Sequence, residues 1–160
     1  MRNYQMDLSI SEKFSSFNNI LEVDKQSDIK LHEEVYKIAK YFMEELNYDR
    51  IPYSQYGNLS NEYKVLLFTE KALDIYRKDP MPYRIYGGCL FSKIKFTKGD
   101  DYWALEWIWI HPFFRNRGNL KKNWTQLEEN FGNFIIKTPI SNDMKAFLEN
   151  MKSKHEHIEL

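Results

Sequence analysis

The clearest periodicity in the chain lies between Ser27 and Leu46. Apolar residues recur at Leu31, Val35, Ile38, Phe42 and Leu46, three or four positions apart, which marks one face of an α-helix. Glu33, Glu34, Lys37 and Lys40 fall on the wet side, and Ser27 or Asp28 supplies the N-cap. The first thirty residues are only weakly periodic; the pattern there suggests a strand near Tyr4 to Ile10 and a short helix over Glu12 to Leu21. Asn47 to Asn61, with Pro52, Gly57 and several tyrosines, reads as a loop of fifteen residues. That length suggests a functional role, such as lining a substrate groove.

Downstream the pattern changes to strands. Tyr63 to Thr69 is one, and a broken stretch ending at Pro80 and Pro82 follows it. Tyr83 to Phe96 is a second, rich in aromatic and branched residues although it carries Gly87 and Gly88. Thr97, Lys98, Gly99 and Asp100 form the turn of a hairpin whose return strand is Tyr102 to His111. That strand is apolar almost throughout except at Glu106, the signature of a strand covered on both faces, and Pro112 ends it. Trp103, Trp107 and Trp109 fall at even spacing and are expected on one face, as core or interface side chains. A helix from about Gly118 to Phe131 follows, with Leu120, Trp124, Leu127 and Phe131 on one side. Then come a short strand at Phe134 to Ile136 and a helix capped by Ser141, with Met144, Phe147, Leu148 and Met151 at helical spacing. The expected architecture is a single α/β domain over residues 1–160, with a mixed, mainly antiparallel sheet flanked by helices on both faces.

Composition narrows the function classes. Lys plus Arg number 23 and Asp plus Glu number 23, so there is no net basic charge of the kind that marks nucleic-acid binding. No window approaches the roughly 18 apolar residues of a membrane span. Met1 to Ile10 lacks a continuous apolar run, so no export signal is expected. The single cysteine, Cys89, makes no internal disulfide and sits in an apolar run, as a buried small hydrophobe does. The expectation is a cytoplasmic protein with no nucleic-acid or membrane partner.

The chemistry concentrates in Glu106-Trp-Ile-Trp-Ile-His-Pro-Phe-Phe-Arg-Asn-Arg-Gly-Asn-Leu120. A buried strand stops at Pro112, a short polar turn contains Gly118, and a helix begins. Such a helix start offers unpaired backbone N–H groups and the positive end of a helix dipole. Together these suit a pyrophosphate. Arg115, Arg117, Lys121 and Lys122 add positive charge, and Gly118 permits close backbone approach.

This stretch resembles the signature of the GNAT superfamily of acyl-CoA-dependent N-acyltransferases. In that family a strand ends in a hydrophobic-x-Pro step, and Arg/Gln-x-x-Gly-x-Gly/Ala opens the next helix. Here the residues are Ile110-His111-Pro112 and then Arg115-Asn116-Arg117-Gly118-Asn119-Leu120. Leu120 replaces the last small residue. The likeness extends over residues 62–152 and implies the GNAT fold, with its C-terminal end shortened to Lys152–Leu160 or completed by a strand from another subunit. It implies acetyl-CoA as co-substrate, held by Ile110, His111 and Arg115 to Leu120, with Asn142 as a pantetheine contact.

Amine acetylation needs a base to take the amine proton and an acid for the departing thiolate. Glu106 is the candidate base, since it is the lone carboxylate among Trp, Leu and Ile and several GNAT enzymes carry a glutamate on this strand. The competing reading pairs Glu106 with an Arg or Lys on a neighbouring strand, such as Arg84. The family's tyrosine acid is missing from Ser141 to Phe147; either another group such as Tyr83 or Tyr86 serves, water protonates the thiolate, or the site is catalytically weak. His111 is more readily a hydrogen-bonded structural residue than a base, and His155-Glu156-His157 reads as a solvated tail rather than a metal site. Three functions stand: an N-acetyltransferase acting on an amine of unidentified class, a catalytically silent GNAT-like module that holds acyl-CoA or a partner, and a homo-oligomeric interaction protein. The aromatic surplus leaves a homodimer open.

Overall fold

In the computed structural model, which describes residues 9–10, 19–54, 56, 59, 61–75, 82–95 and 99–158, ten helices and strands follow one another. They are β1 (Ser9–Ile10), β2 (Ile20–Val23), α1 (Ile29–Leu46), β3 (Tyr63–Lys71), β4 (Tyr83–Ile94), β5 (Tyr102–Ile110), α2 (Asn119–Phe131), β6 (Ile135–Lys137), α3 (Asn142–Met151) and β7 (His157–Ile158). Helix α1 forms where its stripe predicts. Asp28 caps it by accepting from the Lys30 N–H, and Asn47 closes it in the left-handed conformation at φ 57°. His32, Val35, Ile38, Ala39 and Phe42 are its buried face. Ser141 caps α3 by accepting from the Met144 N–H.

The sheet runs in the order β2-β3-β4-β5-β6-β7, with β1 pairing on β4. Strands β2 to β5 are antiparallel neighbours, whereas β6 lies parallel to β5 and β7 parallel to β6. The helices α2 and α3 make the crossovers that parallel pairing requires. Two cores result, one on each face of the sheet. Helix α1 packs with Val65, Leu67, Ile85, Leu90, Trp107 and Trp109 on one side. On the other, α2 and α3 place Trp124, Leu127, Met144 and Leu148 against Leu66, Phe91, Leu105 and Ile136. The α/β sheet with helices on both faces is therefore as the periodicity predicts.

Three expectations change. Ile20 to Val23 is an edge strand in register with Phe68 to Val65, not the end of a helix over residues 12–21; residues 12–18, like Tyr4 to Leu8, lie outside the described residues. The segment after α3 is not without a strand: His157 and Ile158 pair with Ile136 and Lys137, so the same chain supplies β7. Finally, the three tryptophans of β5 do not share a face. Leu90 pairs with Trp107 while Phe91 pairs with Leu105, which leaves Glu106 as an extra residue in β5. Such a bulge breaks the alternation of a strand. Trp107 and Trp109 therefore enter the α1 core, whereas Trp103 packs on the opposite face, edge-on to Phe131.

The described part of the loop over 47–61 seals the α1 face. Tyr53 is buried and its hydroxyl lies 2.6 Å from Nδ1 of buried His32, while the Trp107 indole N–H donates to the Pro52 carbonyl at 3.3 Å. No helix among the described residues is long and apolar enough to cross a membrane.

The glycine pair of β4 is explained by close backbone approach. A Cβ on Gly87 would stand 2.5 Å from the Trp109 carbonyl oxygen, and one on Gly88 2.9 Å from that of Leu66. Gly87→Ala should therefore cost about 1–3 kcal/mol, as overpacking typically does, read as a lower urea midpoint. An unchanged midpoint would contradict this packing.

Candidate active site

The sheet opens at the end of β5. Strand β6 pairs with β5 only at Ala104 and Leu105, whereas β5 continues from Glu106 to Ile110. The His111 N–H donates to the Tyr86 carbonyl at 2.8 Å, so by alternation the backbone groups of Ile108 and Ile110 face away from β4, towards the opening. A cavity of about 460 Å³ fills the gap. Its walls are apolar, with Phe42 and Leu46 from α1, Ile108 and Ile110 from β5, and Met144 and Phe147 from α3. Its polar end is formed by Glu45 and the segment around Arg115 to Lys121.

That segment is built by turn chemistry. Pro112 stops the strand, and a 3-10 turn over Pro112–Phe114 is capped by His111, whose Nδ1 accepts from the Phe113 N–H at 3.1 Å. Asn116 and Gly118 take left-handed conformations, at φ 57° and 76°. Helix α2 then starts with Gly118 as its N-cap, and no side chain caps it. Its first turn closes when the Lys122 N–H donates to the Gly118 carbonyl at 3.0 Å. The N–H groups of Asn119, Leu120 and Lys121 precede that bond and form the positive end of the helix. A Cβ at Gly118 would meet no atom within 4 Å, so the space over the turn is clear. Arg117 is exposed, with its guanidinium 4.1 Å from the centre of the Phe113 ring; Lys121 and Lys122 are exposed as well.

The residues assigned from sequence divide into two groups. Ile110, Arg115, Asn116, Gly118, Asn119 and Leu120 line the cavity, while His111, Arg117 and Asn142 stand outside its lining. Asn142 is exposed, and its neighbours Ser141 and Asp143 line the cavity in its place. Leu120 is half-buried and packs against the α2–α3 core, the inward orientation that its place on the helix stripe requires. Asn119 turns its amide back to the Phe114 carbonyl at 2.8 Å. Arg115 reaches the cavity but directs its guanidinium at Glu45, with Nη1–Oε1 2.6 Å and Nη2–Oε2 2.8 Å. Sequence reasoning missed Glu45, together with Phe42 and Leu46. Glu45 lies 70 positions before the Arg115 it meets, and the stripe that holds Phe42 and Leu46 marks only burial.

Glu106 adopts the structural pairing, although with different partners from Arg84. Lys137 of β6 meets its Oε2 at 2.7 Å and the Ser92 hydroxyl donates to its Oε1. Arg84 is engaged by Asp74 at 2.6 Å, and this bond holds the Asp74 carboxyl below its usual pKa. Glu106 lines a second, smaller cavity of about 50 Å³ that shares Phe42, Leu46, Ile108, Ser141 and Met144 with the large one. The tyrosine candidates stand elsewhere. Tyr86 is buried against Phe114, accepts from the Asn123 amide at 3.0 Å and has its pKa raised by burial. Tyr83 pairs with Lys71 and Ile10 at the start of β4. His155 stacks on Phe134 at 3.9 Å and contacts its carbonyl at 2.8 Å, which makes it a packing residue rather than part of a solvated tail.

No family model matches the chain, and no curated protein matches it in sequence. Solved structures do match it in three dimensions. An aminoglycoside acetyltransferase from an uncultured soil metagenomic sample is 15% identical with a TM-score of 0.52, over 88% of this chain and 94% of that one. A second soil metagenomic aminoglycoside acetyltransferase, in complex with trehalose, is 11% identical at a TM-score of 0.51, over 88% and 90%. An acetyltransferase from Trypanosoma brucei is 16% identical at 0.50, over 88% and 95%. At these identities the likeness is one of fold: the chain has the fold of the GNAT acetyltransferases.

Cys89 is fully buried in the α2–α3 core, and burial pushes its thiol pKa far above the usual range. The native protein should therefore react with a thiol reagent at pH 8 far more slowly than the urea-unfolded chain, because the thiol stays protonated and covered. Full labelling of the native protein within seconds would contradict this placement.

Proposed function

We propose that the chain is an N-acetyltransferase that takes an acetyl group from acetyl-CoA and passes it to an amine of a small molecule, peptide or protein. The observation that carries this reading is the uncapped start of α2 opening onto an apolar cleft. The N–H groups of Asn119, Leu120 and Lys121 would hold the diphosphate, with Gly118 leaving room for it. The free edge of β5 at Ile108 would pair with the amides of the pantetheine arm, as a strand edge takes up an extended chain. Phe42, Leu46, Met144 and Phe147 would exclude water from the thioester, which supplies the activated acetyl group. The fold shared with solved acetyltransferases supports the same reading.

The acceptor amine must lose a proton. Glu106 remains the candidate base, acting through water in the small cavity beside the cleft, since its roughly 50 Å³ exceeds the about 10–15 Å³ that a cavity needs to hold one water. Water would also protonate the thiolate, because Phe147 stands where the family resemblance places a tyrosine. The second reading, a silent acyl-CoA-binding module, is favoured by that phenylalanine and by the Lys137 and Ser92 bonds that occupy Glu106. Thiol release with a panel of polyamines, amino sugars and lysine peptides separates the two.

Acetyl-CoA at 100 times its Kd should add about 2.7 kcal/mol to stability, seen as a raised Tm. Gly118→Val should abolish most of that shift, both by filling the space over the turn and by straining a backbone at φ 76°; an equal shift in the variant would place the ligand elsewhere. Glu106→Gln should lower kcat by about 10²–10⁴-fold, the usual contribution of a general base, while acetyl-CoA affinity stays unchanged. Wild-type turnover in this variant would remove Glu106 from the mechanism.

A further inference from the structure

Helix α1 ends against its own dipole. Its last turn carries Glu44 and Glu45 and no basic residue, although the negative end of a helix favours cations. Glu45 is held there by groups from β5 and the turn after it. Arg115 donates from Nη1 to Oε1 at 2.6 Å and from Nη2 to Oε2 at 2.8 Å, and the Trp109 indole N–H donates to Oε2 at 2.8 Å. Arg115 also donates from Nε to the Ile110 carbonyl at 2.7 Å, and its guanidinium lies 5.8 Å from the centre of the Trp109 ring. Bidentate geometry of this kind fixes orientation as well as distance.

The motif by itself suggests a different role, in which Arg115 meets the diphosphate as a charge. The geometry speaks against it. Three of its five N–H groups, one on each nitrogen, already donate within the protein, and the fork faces a carboxylate that neutralises it. Turning Arg115 towards a ligand would cost both bonds of its fork to Glu45, a side chain only 25% exposed, and breaking an ion pair partly shielded from water is costly. The uncapped N–H groups of α2 need no such rearrangement to meet an anion.

We propose that Glu45 is a positioning residue for the diphosphate site: it clamps Arg115, and the clamp fixes the turn over Arg115 to Gly118 on β5 and α1, with Arg115 itself making no contact with the ligand. The proposal rests on the acetyl-CoA reading above. It also accounts for an arginine rather than a lysine at position 115, since only a planar fork makes the two parallel bonds and the Nε bond together.

The test is acetyl-CoA affinity by calorimetry, well below the melting temperature, for the wild type, Glu45→Gln, Arg115→Gln, the double variant and Arg115→Lys. Each single variant should lose about tenfold in affinity, the scale of one charge-assisted bond, and the double variant should lose no more than the weaker single one. Arg115→Lys keeps the charge and the fold but should lose affinity like the others. The proposal is overturned if Glu45→Gln binds as tightly as the wild type, if Arg115→Lys does so, if the two losses add, or if melting temperatures fall while affinity is unchanged. A wild type that fails to bind acetyl-CoA would defeat the underlying reading, and the clamp's role with it, and that failure is visible before any variant is made.

Discussion

Opposite β4, the fifth strand carries one residue more than its partner: Leu90 faces Trp107, Phe91 faces Leu105, and Glu106 stands between. The rest of the site depends on this extra residue. A bulge bends its strand and increases local twist, and pairing between β5 and β6 ends at Leu105, immediately before it. Beyond that point the strands part, and the cleft occupies the gap. The same extra residue moves Trp107 and Trp109 to the α1 side, where Trp109 can reach Glu45. It also places Glu106 at the point of divergence, within reach of Ser92 on one neighbour and Lys137 on the other.

From the bulge onward, structure leads to chemistry in short steps. The divergence exposes a strand edge and an apolar cleft, Pro112 stops the strand, and two left-handed residues, Asn116 and Gly118, turn the chain into α2 without a capping side chain. A helix start capped by glycine, with no side chain accepting from its N–H groups, gives up about a few tenths of a kcal/mol relative to a Ser, Thr, Asn or Asp cap. Such local departures from the stabilising choice tend to mark functional sites. The Glu45–Arg115 clamp is a second departure, an acid placed at the wrong end of a helix dipole, and it secures the first.

Much of the fold was legible. The stripe from Leu31 to Leu46, the β4–β5 hairpin (whose turn residues Thr97 and Lys98 lie outside the described residues) and the Ser141 cap each act over a few neighbouring residues, so their cause is written locally, and the elements formed within a residue or two of expectation. The turn from Ile110 to Leu120 was legible for the same reason. What failed depends on distant partners. A strand of two to four residues, such as Ile20–Val23 or His157–Ile158, is too short to show a period and exists because β3 and β6 accept it. The position of Trp103 was misread because a bulge breaks the period of two without changing any residue type. Glu45 carried a weak local mark, an acid in the last helical turn, but its partner lies 70 residues away and no spacing rule connects them. Glu106 was found by its isolation among apolar residues, whereas its partners Ser92 and Lys137 follow only from the pairing of β4, β5 and β6.

The proposed function stands or falls with the start of α2 as an anion site serving the cleft beside it. An amide chemical-shift titration of the isotope-labelled protein with CoA tests it most directly, because it reports on the backbone groups themselves. The largest and earliest shifts should fall on Gly118, Asn119, Leu120 and Lys121, with Ile108 following as the cleft fills. Shifts concentrated on the opposite end of the sheet or on the α1 face around Tyr53, with the α2 start unmoved at saturation, would contradict it.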